Sequence, residues 1–86
     1  MERKTVAVMG AGSWGTAIAI VLQTNGHQVR LWMRNKDQAI VMQNDRVNKK
    51  YLPDIQLSPD ISIESDPGAA LQNVDTVILA VPTQQI

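Results

Sequence analysis

The residues of this chain with the clearest chemical potential are six in a row, Gly10-Ala11-Gly12-Ser13-Trp14-Gly15, which form the pattern G-x-G-x-x-G. Glycines at this spacing let a chain turn sharply after a strand, bring its backbone against a diphosphate, and start a helix packed closely on that strand. Gly10 is expected to make the turn, Gly12 to admit a pyrophosphate, and Gly15 to permit the close packing. The amides of Ser13 and Trp14 would then face the pyrophosphate from the positive end of the helix. The Trp14 side chain has two readings, a wall of the site or a cover over the helix start.

The end of the next strand selects the cofactor. An acid about twenty residues beyond the glycines commonly holds the ribose 2′-hydroxyl of NAD. The corresponding window, Arg30-Leu31-Trp32-Met33-Arg34-Asn35, contains no acid. Arg34 stands at the strand end with Lys36 nearby, and a planar guanidinium suits a 2′-phosphate dianion. NADP(H) is therefore the expected cofactor, with NAD(H) left open. Asp37 comes too late for the ribose and reads as first-turn helix electrostatics.

The other polar residues offer less chemistry. His27 falls in a turn, and Asp54, Asp60, Glu64 and Asp66 are scattered with no pairing suited to acid–base work. Lys49 and Lys50 read as a solvated basic step. The chain has no cysteine and one histidine, so neither a thiolate nor a histidine metal site is expected. Val81-Pro82-Thr83-Gln84 follows the last strand at its carboxyl end, beside the reversal of strand order where such sheets bind ligands. Val81 and Pro82 are candidates to touch the ribose or nicotinamide side of the cofactor.

These residues need a frame, and the hydrophobic pattern supplies one. Thr5-Val6-Ala7-Val8-Met9 is a β-branched, apolar run suited to a strand buried on both faces. Thr16 to Thr24 reads as a helix closed by Asn25-Gly26. Gln28 to Trp32 alternates and forms a second strand. Asn35 caps a helix expected to run to about Val47, with Gln38 in a capping-box position. A loop containing Tyr51-Leu52-Pro53 and Ser58-Pro59 follows, the prolines arguing against regular structure. Ile61 to Glu64 is a third strand, Asp66-Pro67 opens a short helix to about Asn73, and Thr76 to Val81 is a fourth strand. This alternation implies right-handed crossovers and an α/β, Rossmann-like doubly wound parallel sheet, strand order 3-2-1-4, with the first and fourth strands as neighbours.

Composition sets the outer bounds. Eighty-six residues make one small domain, which buries only roughly 60% of its unfolded surface. Hydrophobic residues at 44% and charged residues at 19% are ordinary for a globular chain. Eight basic and eight acidic residues give a net charge of zero, which excludes a generally basic nucleic-acid binder. The uncharged stretch from Thr5 to Val21 is broken by three glycines, Ser13 and Thr16, and is too short and polar to span a bilayer. It also lacks the cleavage site of a secretory leader. The expectation is a soluble, cytoplasmic protein without membrane insertion.

The strings Gly10-Ala11-Gly12-Ser13-Trp14-Gly15-Thr16-Ala17 and Asn25-Gly26-His27-x-Val29-x-Leu31-Trp32-x-Arg34 resemble the start of bacterial NAD(P)-dependent glycerol-3-phosphate dehydrogenases. Asn48-x-x-Tyr51-Leu52-Pro53, a later Leu57, and Ala80-Val81-Pro82-Thr83-Gln84 match further landmarks of that family, with Thr83 where serine is commoner. The resemblance covers the whole chain. It implies that Ser13, Trp14, Arg34 and Tyr51 contact NADPH. It also implies reversible reduction of dihydroxyacetone phosphate to sn-glycerol 3-phosphate for phospholipid synthesis. The family's catalytic and phosphate-binding lysines lie beyond residue 86, as does its helical substrate domain, so no catalytic residue is expected in this chain. A homodimer is left open.

Two other readings stay open: a stand-alone NADP(H)-binding or redox-sensing module, and the cofactor half of a hydroxyacid dehydrogenase or ketopantoate reductase. Tyr51-Leu52-Pro53 argues against the second. The sequence stops five residues after Val81, before any helix that could cover the fourth strand. It is therefore expected to be the amino-terminal piece of a longer dehydrogenase, with residues 1–86 a partial NAD(P)-binding domain and an exposed strand edge that a finished domain would hide.

Overall fold

The computed structural model of the protein describes residues 3–80. Four parallel strands form one sheet: β1 (Thr5–Met9), β2 (Gln28–Trp32), β5 (Ser62–Glu64) and β6 (Thr76–Leu79). Their order is β5-β2-β1-β6, the expected doubly wound arrangement. Thr5 is in register with Gln28, and Val6 with Thr76. Three helices, α1 (Ser13–Thr24), α2 (Lys36–Asp45) and α3 (Pro67–Leu71), make the crossovers. A small hairpin, β3 (Val47–Asn48) and β4 (Leu52–Gln56), interrupts the route from α2 to β5.

The pleat divides the core in two, since successive side chains of a strand face opposite ways. Val6, Val8, Val29, Leu31, Ile61 and Ile63 pack with Ala19 of α1 and with Ala39 and Met42 of α2. Ala7 and Met9 face the other way, toward Ala70 of α3 with Trp32 and Val74 beside it. β1 is therefore buried on both faces, as its unbroken apolar run requires. β6 is equally apolar but lies at the edge of the described sheet. Its Val77 and Leu79, in register with Ala7 and Met9, are exposed.

β5 starts at Ser62 rather than Ile61 and β6 ends at Leu79, and four larger differences from the sequence expectation each have a local reason. The first helix begins at Ser13 rather than Thr16, because Gly12 already takes the extended N-cap conformation. α2 stops at Asp45 rather than about Val47, because Arg46 adopts the left-handed conformation (φ 56°, ψ 34°). The Arg46 N–H still donates to the Met42 carbonyl (2.8 Å), and its guanidinium donates to the carbonyls of Ile61 and Pro59. Those bonds hold a non-glycine residue where sterics disfavour it. α3 stops at Leu71 rather than about Asn73. There the Arg30 guanidinium, reaching across from β2, takes the carbonyls of Ala69, Ala70 and Gln72, and Asn73 turns left-handed.

The fourth difference is the segment expected to be a loop. Leu52–Gln56 is instead a strand, paired antiparallel with Val47–Asn48 through an irregular register. Pro53 is compatible with it because a strand with one neighbour does not need every N–H. Residues 57–61 are irregular, as expected around Ser58-Pro59, and there the Ser58 hydroxyl accepts from the Asp60 N–H (3.1 Å). The expected caps hold: Asn35 Oδ1 accepts from the Gln38 N–H (3.0 Å), and Asp66 Oδ1 from the Gly68 N–H (3.2 Å).

Candidate functional site

The glycine-rich turn follows β1 directly, at the carboxyl end of the sheet and beside the β1–β6 pairing where the winding direction reverses. It is anchored on both sides. The Gly10 N–H donates to the Trp32 carbonyl of β2 (2.9 Å), and the Met9 carbonyl accepts from the Ala80 N–H (3.0 Å).

Each glycine has a separate geometric role. Gly10 sits at φ 127°, a conformation that L side chains rarely adopt. A Cβ on Gly15 would lie 1.8 Å from the Gly10 carbonyl oxygen and 3.1 Å from Ala80 Cβ, so helix and turn touch backbone to backbone. Gly12 is the N-cap of α1, and a Cβ there would meet nothing within 4 Å. The turn is thus closed on its inner side at Gly15 and open on its outer side at Gly12.

The open side presents the start of a twelve-residue helix. The first helical bond is donated by the Thr16 N–H to the Gly12 carbonyl (3.0 Å). Gly12 supplies no side-chain cap, and the first turn of α1 carries no acidic residue. The leading amides, including those of Ser13 and Trp14, therefore keep their donor capacity and the partial positive charge of the helix end. Such an end suits a phosphate.

A second recess, of about 210 Å³, lies just past the end of β2. It is lined by Met33, Gln38, Val41, Met42, Val47 and Asn48, with Lys49 and Lys50 at its margin. Arg34 follows Met33 directly and is exposed. Asp37 lies in the first turn of α2, away from the strand end, as expected. Tyr51 occupies the turn between β3 and β4, half exposed, with Lys50 Nζ 5.3 Å from its ring centroid. Both lysines are exposed, as expected of a solvated step, and Lys49 Nζ also pairs with Asp45 Oδ2 at 2.8 Å. Trp14 is 71% exposed and lines a shallow apolar recess with Ala17, Ile18, Val21 and Leu22.

A family model described as the N-terminus of NAD-dependent glycerol-3-phosphate dehydrogenase matches residues 5–86. The chain belongs to this family. A glycerol-3-phosphate dehydrogenase (NAD(P)+) of Geobacillus thermodenitrificans is 49% identical over 83 residues, which are 96% of this chain and 24% of that protein. The crystal structure of the Coxiella burnetii glycerol-3-phosphate dehydrogenase superposes with a TM-score of 0.87 at 39% identity, covering 93% of this chain and 25% of the other. That of Saccharomyces cerevisiae gives 0.83 at 26% identity, over 96% and 27%. The chain thus spans about a quarter of the length of the relatives it matches. Membership of this dehydrogenase family selects against the hydroxyacid dehydrogenase and ketopantoate reductase readings.

Within the family frame, the expected site residues divide by position. Gly10, Gly12, Ser13, Trp14 and Gly15 form the turn, while Arg34 follows β2 and Tyr51 lies on the hairpin. Val81 and Pro82, with Thr83 and Gln84, lie outside the described residues. His27 Nδ1 accepts from the Lys4 N–H (3.2 Å) in an exposed contact. Among the described residues no cluster of His, Cys, Asp or Glu could hold a metal, and no helix is long and apolar enough to cross a membrane.

Sequence reasoning gave no role to Thr16 and none beyond a family landmark to Asn48. They are the two buried polar side chains among the described residues, and they bond each other beneath the turn (Asn48 Nδ2 to Thr16 Oγ1, 2.9 Å). The Asn48-x-x-Tyr51-Leu52-Pro53 landmark marks the position of this asparagine but not its partner. Only the tertiary fold brings it to a threonine 32 positions away.

Proposed function

We propose that residues 1–86 form the cofactor-binding part of an oxidoreductase that moves hydride between NAD(P)H and dihydroxyacetone phosphate, giving sn-glycerol 3-phosphate for glycerophospholipid synthesis. The observation that carries the reading is the turn, closed at Gly15 and open at Gly12, set before an uncapped, acid-free helix end in a chain of this family. When bound, the dinucleotide supplies hydride from its nicotinamide.

The chain's own part is binding and orientation. The amides of Ser13 and Trp14 hold the diphosphate. The recess at Met33, Val41, Met42 and Val47 offers an apolar slot for the purine. Arg34 holds a 2′-phosphate, which makes NADP(H) the preferred cofactor with NAD(H) also accepted. Tyr51, Val81 and Pro82 line the remaining length. Catalytic and substrate-phosphate groups belong to a helical substrate domain beyond residue 86, so dihydroxyacetone phosphate is turned over by the longer enzyme and not by these residues alone. A cytoplasmic setting accords with a soluble substrate of this kind.

The test is a pair of titrations, NADPH and NADH, on this chain and on Arg34→Ala. Loss of a charge-assisted contact to phosphate is expected to weaken NADPH binding by about tenfold or more. NADH binding should stay within about twofold. Equal losses for the two nucleotides would remove the 2′-phosphate role. Failure of the unaltered chain to bind either would remove the dinucleotide reading itself. An enzyme extended to full family length that binds NADPH without reducing dihydroxyacetone phosphate would point to a binding module instead.

A further inference from the structure

We infer that Asn48 is a positioning residue for the glycine-rich turn, whose carboxamide aims the Gly12 amide outward and ties the turn to the hairpin that carries Tyr51. The inference rests on the dinucleotide reading above and assigns a role to a side chain that does not itself face the open side of the turn.

The geometry begins with burial. Asn48 is 5% exposed and Thr16 is fully buried, and burying a carboxamide or a hydroxyl is unfavourable unless each finds hydrogen-bond partners. Asn48 uses both protons of Nδ2, one to the Ala11 carbonyl (2.8 Å) and one to Thr16 Oγ1 (2.9 Å). The Thr16 hydroxyl in turn donates to the same Ala11 carbonyl (3.3 Å). Three groups close a small ring of hydrogen bonds beneath residue 11.

Ala11 is the residue between the first two glycines, and its carbonyl belongs to the peptide that bears the Gly12 N–H. In a trans peptide the C=O and the following N–H point in opposite directions. No peptide bond of the described chain is cis. Drawing the Ala11 carbonyl down onto Asn48 and Thr16 therefore directs the Gly12 N–H to the opposite side. Gly12, open to added atoms, gives that amide room to meet an anion. The glycines allow this orientation; the buried ring selects it.

The other end of Asn48 lies in the hairpin. Its carbonyl accepts from the Tyr51 N–H (3.2 Å), and it pairs in register with Leu52. A continuous path of bonds thus runs from the Gly12 peptide through Asn48 to the turn bearing Tyr51. A ligand that fixes the Gly12 amide must then favour the ordered hairpin, and an ordered hairpin must favour the ligand, by thermodynamic reciprocity.

The experiment measures NADPH and adenosine 2′-phosphate affinities for this chain, Asn48→Ala, the near-isosteric Thr16→Val, and Thr16→Ser. Amide hydrogen exchange is followed with and without NADPH. Asn48→Ala and Thr16→Val should each weaken NADPH by about tenfold, the double variant scarcely further, because both remove one network. Adenosine 2′-phosphate, which presents no diphosphate to the turn, should bind Thr16→Val within about twofold, because Thr16, unlike Asn48, does not line the recess proposed for the purine. Thr16→Ser keeps the hydroxyl and should bind NADPH within about threefold of the unaltered chain. The NADPH-dependent protection of the Tyr51 and Leu52 amides should vanish in Asn48→Ala.

If Asn48→Ala does not fold, Thr16→Val carries the same comparison. Unchanged NADPH affinity in the folded variants overturns the inference. So do equal losses for the two ligands in Thr16→Val with hairpin protection intact, the result of a purely structural role. An unaltered chain that binds no NADPH overturns the dinucleotide reading, and the inference falls with it.

Discussion

The glycine-rich turn and the 46–57 excursion border the same end of the sheet and are built by opposite means. The turn works by what its residues lack: a Cβ on Gly15 would strike the Gly10 carbonyl, and Gly10 holds a φ that side chains resist. The excursion works by what its residues carry. Arg46 keeps an unfavourable backbone conformation through its guanidinium, and Asn48 is secured by its carboxamide. One region should fail when atoms are added and the other when atoms are removed.

The largest effect should come from Gly15→Ala. An added methyl group against rigid backbone cannot be relieved by a rotamer change, so a loss of about 3 kcal/mol or more is expected in urea unfolding. A loss below about 1 kcal/mol would mean that the turn yields and the contrast is weaker than drawn. On the other side, Arg46→Ala removes the charge-assisted bonds to Ile61 and Pro59 and should cost about 2 kcal/mol. Arg46→Gly should recover about 1 kcal/mol of that, since glycine accepts the left-handed conformation.

Gly12→Ala sharpens the comparison within the turn. Its Cβ has open space, so the stability loss should be no more than the roughly 1 kcal/mol of a poorer N-cap. NADPH binding should nevertheless fall about tenfold, because the methyl group stands where the diphosphate approaches. A large stability loss with unchanged binding would reverse the roles assigned to Gly12 and Gly15. Smallest of all, Lys49→Ala should change stability by less than about 0.5 kcal/mol. Its pair with Asp45 is exposed at both ends and screened by solvent.

The same contrast explains what the sequence could show. A turn made by absent side chains leaves a legible mark, because glycine at fixed spacing excludes most alternatives. The sharp turn at Gly10 and the close packing at Gly15 are therefore legible in the sequence. The sheet order was equally legible from the doubly apolar run of β1 and the alternation of β2. Devices made by side chains reaching across the fold leave no such mark. Arg46 looks like any helical arginine until the Ile61 and Pro59 carbonyls stand beside it, and Arg30 gives no hint that it will close α3. Pro53 misled in the other direction, since whether a proline breaks a strand depends on which edge its missing N–H faces.

The pairing of β1 with β6 has a consequence for the timing of folding. The Thr5 N–H and carbonyl are both taken by Asp75, 70 positions along the chain, whereas the Lys4–His27 contact at the β1–β2 end spans 23. Closing the longer loop costs about 1 kcal/mol more in chain entropy. During synthesis the strand made first must wait for its last neighbour, with one flank of Val6 to Met9 bare until residues 76–79 leave the ribosome. The slowest contact of this sheet is therefore expected to be its β1–β6 pairing, and a circular permutant that makes β6 before β1 should fold faster without becoming more stable.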